Sequence, residues 1–114
     1  MIAILKGTEI VISKEVLLAE SIGERIRGLM LKKSIDDSES LLIMPCNSIH
    51  TCFMRFSIDA LFLSNDDTIV HIIRNMKPWR FSSIHIGSKK VLELNAGRIG
   101  NKLKAGDQLE FRNV

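Results

Sequence analysis

The sequence predicts a single α+β domain spanning residues 1–114. Antiparallel strands dominate it, and they curl into a barrel-like sheet with one or two short helices. Three observations carry this reading. Short runs rich in β-branched residues or Leu recur along the chain, punctuated by Lys6-Gly7, Ser13-Lys14 and Asn65-Asp66-Asp67. One segment, residues 21–31, changes to helical spacing. Strand and helix patterns do not alternate, which argues against a doubly wound parallel sheet.

In chain order, residues 2–5, 9–12 and 16–18 read as short strands. Over residues 21–31, Ile22, Ile26, Leu29 and Met30 share one helical face, and Ser21 with Glu24 has capping-box spacing. Lys32 and Lys33 then suit the C-terminal end of the helix dipole. Residues 34–40, with Asp36, Asp37 and Glu39, read as an acidic loop. Residues 41–44 are wholly apolar before Pro45, the pattern of a strand buried on both faces. Cys52, Met54, Phe56 and Ile58 alternate as one face of a strand. Residues 60–63 and 68–73 flank turn residues and form a hairpin. Residues 76–88 are a long connection, and strand pattern returns at 89–94 and 108–111. Between these last two strands, the glycine-punctuated residues 97–106 leave room for a second short helix.

Composition narrows the function. The chain is 46% hydrophobic and 25% charged, an ordinary balance for a globular domain with a real core. Its charge-free stretch at 40–54 contains Pro45, Asn47 and His50, too polar and short for a membrane span. The N-terminus lacks the pattern of a secretory signal, so a cytoplasmic location and no membrane partner are expected. The net charge of +3 conceals a split, because residues 1–66 hold 7 basic and 9 acidic residues whereas residues 67–114 hold 9 and 4. Neither a P-loop nor a dinucleotide-binding glycine motif is present, and no cofactor is expected.

Chemistry-bearing residues are densest at Cys46, His50 and Cys52. These three residues offer three zinc-type ligands without a fourth, so no metal site is assigned; two buried, reduced thiols are the simpler reading. Asp59 and Glu93 interrupt apolar strands. Each carboxylate either points outward into water or, if the strands converge, forms an acid–base pair. His71 alternates with Ile69 and Ile73 and reads as a half-buried, hydrogen-bonded histidine. Trp79 and Arg80 lie in a loop where they either anchor it or contact a ligand.

The ordered blocks Arg27-Gly28-Leu29-Met30, Leu41-Leu42, Cys46 with Ile49-His50-Thr51, Phe53-Met54, Ile58-Asp59, Pro78-Trp79-Arg80, Leu92-Glu93-Leu94, Ala96-Gly97 and Gly106-Asp107 resemble the uncharacterised family known as domain of unknown function 192. The resemblance implies a compact, mostly β, α+β domain found in prokaryotic proteins, and it brings no established activity. The chain departs from the family pattern at Asn95, where a proline is expected, and at Ser40, where a glycine is expected.

The leading expectation is a non-enzymatic module that binds a small polar or anionic ligand, or a protein partner. Its candidate site comprises His50, Thr51, Asp59, Trp79, Arg80 and Glu93. The alternatives are a small hydrolase or transferase using His50 as general acid or base, and, disfavoured, weak nucleic-acid binding through the basic C-terminal half.

Overall fold

A computed structural model describes residues 1–30 and 32–113. The elements run β1 (Ile2–Leu5), β2 (Val11–Ser13), β3 (Glu15–Ala19), α1 (Ile22–Arg27), β4 (Glu39–Ile43), β5 (Ile58–Leu63), β6 (Ile69–Met76), β7 (Lys90–Asn95) and β8 (Leu109–Arg112). They form two sheets. One is three-stranded in the order β2-β1-β8, and the other is five-stranded in the order β3-β4-β7-β5-β6. The mainly β, α+β class holds, but the two sheets remain separate and do not close into a barrel.

The expected hairpin is β5–β6, turned through Ser64 and Asp67, and residues 41–43 of the apolar run form the buried end of β4. Three expectations need correcting. First, β3 and β4 pair in parallel with α1 between them, so the chain contains one strand–helix–strand unit that its short helix and acidic loop obscured. Second, the alternation over 51–57 is not a strand. Thr51 accepts from the Met54 amide, and Phe53 takes a left-handed φ of 63°, so the chain turns while Met54 dips into the core and Phe53 stays outside. Third, residues 97–106 are a string of turns rather than a helix. Their apolar members Ile99 and Leu103 are buried as plugs, and α1 is the only helix among the described residues.

The middle of the five-stranded sheet is buried on both faces, and its strands β5 and β7 divide two cores, while the edge strands β3 and β6 keep exposed residues. On one face Leu42, Leu61, Leu63, Leu92 and Leu94 pack against Ala3, Ile12 and Leu109 of the smaller sheet. On the other, Ile43, Ala60, Phe62 and Val91 pack beneath Leu29, Ile49 and Met54, which come from the end of α1 and the chain after β4. Each fully buried Leu or Phe in these layers contributes roughly 2 kcal/mol of apolar transfer free energy. The pairings Asp59↔Leu94 and Ala60↔Glu93 fix which face each carboxylate takes. Because directly paired residues point the same way, Asp59 and Glu93 sit on opposite faces. The two acids therefore do not converge, and neither points outward into water.

Candidate functional site

The second core is incomplete where α1 crosses it. The capping box forms as its spacing predicts: the Ser21 hydroxyl accepts from the Glu24 amide, and the Glu24 carboxylate accepts from the Ser21 amide. The apolar face of the helix does not enter the core, however. Ile22 and Ile26 are exposed, no residue of α1 is buried, and burial begins only at Leu29. Between this helix and the sheet lies a cleft of about 330 Å³. Ile22, Ile26, Leu29 and Met30 form one wall, and Ile43, Ile49 and Met54 form another.

Its polar lining comprises Glu93, Cys46, Arg25 and His50, together with Arg27, Asn47 and Ser48. Glu93 lies in the buried middle of strand β7 and is only 2% exposed. No described residue donates a hydrogen bond to its carboxyl, and burial alone pushes its pKa from 4.5 to about 8. It is therefore mostly protonated at neutral pH. Gly28 lies beside it: a Cβ built there would stand 3.8 Å from Glu93 Oε1, an ordinary contact, so it is the left-handed φ of 47° rather than lack of space that favours glycine. Cys46 donates its thiol hydrogen to the Ser48 carbonyl at 3.0 Å. Burial pushes this thiol above its ordinary value, opposed by its hydrogen bond to Ser48, with Glu93 raising it further and Arg25 lowering it. Arg25 ties α1 to the far wall by donating from Nη1 to the Pro45 carbonyl at 3.0 Å, while its Nε is buried without a partner among the described residues.

His50 completes the polar set. Its Nδ1 accepts the Cys52 amide at 3.1 Å, which assigns the proton of the neutral ring to Nε2. It thus has a hydrogen to donate rather than a lone pair with which to remove one. The Cys46 thiol is turned to Ser48, and both cysteines are free. Among the described residues, no three His, Cys, Asp or Glu side chains gather as a ligand set.

With this architecture in hand, residues 3–111 match the model of the DUF192 family, described as an uncharacterized ACR. The chain belongs to this family. A UPF0127 protein of Pyrococcus furiosus is 32% identical over 120 residues, covering 100% of this chain and 99% of the relative. A protein of unknown function from Novosphingobium aromaticivorans has the same fold, with a TM-score of 0.84 at 22% identity over 97% of this chain and 84% of that one. A Sinorhizobium meliloti protein named as a candidate transcription regulator superposes with a TM-score of 0.77 at 26% identity, covering 96% and 89% of the two chains. No helix among the described residues is long and apolar enough to cross a membrane.

In this DUF192 domain, His50 and Glu93 line the cleft, whereas Thr51, Asp59, Trp79 and Arg80 lie outside it. Asp59, buried on the opposite face of the sheet, accepts the amides of Asn75 at 2.8 Å and Gly97 at 2.9 Å, and so pins the end of β6 to the turn after β7. Thr51 is a clamp: its hydroxyl donates to the Lys77 carbonyl at 2.6 Å and accepts from the Arg80 amide at 2.9 Å. Trp79 and Arg80 are exposed on the loop that Thr51 holds. His71 is exposed rather than half-buried and stacks on His85, with ring centroids 4.1 Å apart. The apolar lining from Ile26, Leu29, Ile49 and Met54 escaped sequence reading because a helical stripe looks the same whether it faces a core or a cavity. Gly28 inside that stripe was the available signal.

Proposed function

We propose that this domain is a binding module for a small organic molecule with an apolar body and a neutral or cationic polar end. The observation that supports it best is the carboxyl of Glu93, which is 2% exposed, lines a mainly apolar cleft and has no hydrogen-bond partner among the described residues. A buried carboxyl without hydrogen bonds is costly, and a ligand group that bonds to it recovers that cost. When protonated, Glu93 donates to a hydroxyl or carbonyl; when ionised, it pairs with an ammonium, which in turn draws its pKa back down. A ligand carboxylate meets repulsion whenever Glu93 ionises. His50 Nε2 supplies a second donor at the rim.

The enzyme alternative is weaker on two counts. His50 has committed Nδ1 to a backbone amide, and the Cys46 thiol has moved away from thiolate character, the reverse of what nucleophilic catalysis needs. Titration of methyl-labelled protein with hexylamine, hexanol and hexanoate, followed by NMR, tests the reading. Saturable shifts are expected at the methyls of Ile26, Leu29, Ile43, Ile49 and Met54 with the amine or the alcohol, and much weaker ones with hexanoate. No shift at these methyls with any probe overturns it.

A further inference from the structure

Outside the cleft, the largest departure from an ordinary protein surface lies along residues 79–86. This segment runs antiparallel to residues 47–51: Thr51 N–H donates to Arg80 O, Ser82 N–H to Ile49 O and His85 N–H to Asn47 O, with a bridge between His50 and Phe81. The backbone is therefore held, yet the apolar side chains face water. Ile86 is 96% exposed, Phe81 77% and Ile84 68%. Trp79 and Phe53 are half exposed beside them, with ring centroids 4.7 Å apart. Single exposed apolar residues are normal, whereas a contiguous set on an ordered ribbon marks a contact surface.

Charge identifies what the surface fits. Residues 46–57 and 77–89 contain no Asp or Glu, and their cations Arg55, Lys77, Arg80 and Lys89 are all exposed and make no salt bridge among the described residues. The charges carried by these two segments are therefore of one sign. From this we infer that residues 79–86 form a docking surface for the face of an anionic phospholipid bilayer. Trp and Phe settle at the headgroup level of a membrane, isoleucines reach the acyl boundary, and Lys or Arg beside them meet lipid phosphates. Single-stranded nucleic acid fits less well. Bases stack on free, flat ring faces, and here Phe53 and Trp79 pack on each other while the two most protruding positions beyond Phe81 are branched aliphatics. The clamp at Thr51 acquires a purpose in this arrangement, since it fixes the loop that presents Trp79 and Arg80. The ribbon also meets the cleft: His50 lines the cleft, and its ring lies 6.2 Å from that of Phe81.

The chain has one tryptophan, so its fluorescence reports this surface alone. With vesicles of phosphatidylcholine and phosphatidylglycerol, Trp79 emission is expected to shift to shorter wavelength and to be quenched when the acyl chains are brominated. Pure phosphatidylcholine vesicles should give little of either. The double variant Ile84→Ser, Ile86→Ser alters only exposed positions and should keep its thermal midpoint. Its partitioning is expected to fall by about tenfold or more. Four results overturn the inference: no shift or quenching with anionic vesicles, equal response to neutral ones, a double variant that binds unchanged, or a Trp79 response to oligothymidylate without one to vesicles.

Discussion

Replacing Glu93 by glutamine keeps the shape of the side chain and removes its charge. In the unfolded chain a glutamate titrates near 4.5, whereas in the folded domain Glu93 holds its proton to about 8. Between those values the native state binds a proton that the unfolded state has released. Unfolding therefore becomes easier as pH rises, starting above 4.5 and levelling off above 8. At about 1.4 kcal/mol per pH unit, that interval amounts to roughly 5 kcal/mol. Water entering the cleft lowers the cost of ionisation, so roughly 2–5 kcal/mol is expected. Glu93→Gln should match the wild type near pH 4 and exceed it by this amount at pH 8.5, as measured by urea unfolding at both pH values. Groups that titrate alike in both proteins cancel in the comparison. Parallel stability curves across this window would refute the claim that Glu93 is buried and neutral in the folded domain.

Other residues give separate outcomes. Asp59→Ala leaves the Asn75 and Gly97 amides without their acceptor and should cost roughly 1–3 kcal/mol, read as a lower urea midpoint with an unchanged slope; Asp59→Asn should cost less. Thr51→Val removes the clamp on residues 77–80, at about 1–3 kcal/mol, and should increase acrylamide quenching of Trp79. Gly28→Ala forces a side chain into a backbone conformation of φ 47° and ψ −125°. A loss of about 1–3 kcal/mol is expected there, with weaker probe binding because the new methyl narrows the cleft beside Glu93. His85 titrates below the usual imidazole range, first because of desolvation and then because of His71. His71→Ala should move its NMR titration midpoint part of the way back up.

What sequence revealed and what it hid follow from the range of the interactions involved. The capping box at Ser21 and Glu24 was legible because it closes within three residues. The hairpin β5–β6 was legible for the same reason. Where the stripe of Ile22 and Ile26 points depends on β3, β4 and β7 meeting beneath it, a contact between distant segments that periodicity does not encode. Glu93 stood out as a charge among Val91, Leu92 and Leu94, but its separation from Asp59 is set by the register of β5 on β7. A shift of one residue would have placed them together. The Cys46, His50 and Cys52 spacing offered three zinc-type ligands without a fourth; in the fold, the Cys46 thiol donates to the Ser48 carbonyl and His50 Nδ1 accepts the Cys52 amide.

A crystal structure with hexylamine bound tests the central claim most directly. The reading requires the alkyl chain between Ile26 and Met54, with its nitrogen within hydrogen-bond distance of a Glu93 carboxyl oxygen. An amine found only on the outer surface, with the cleft unchanged, would contradict it.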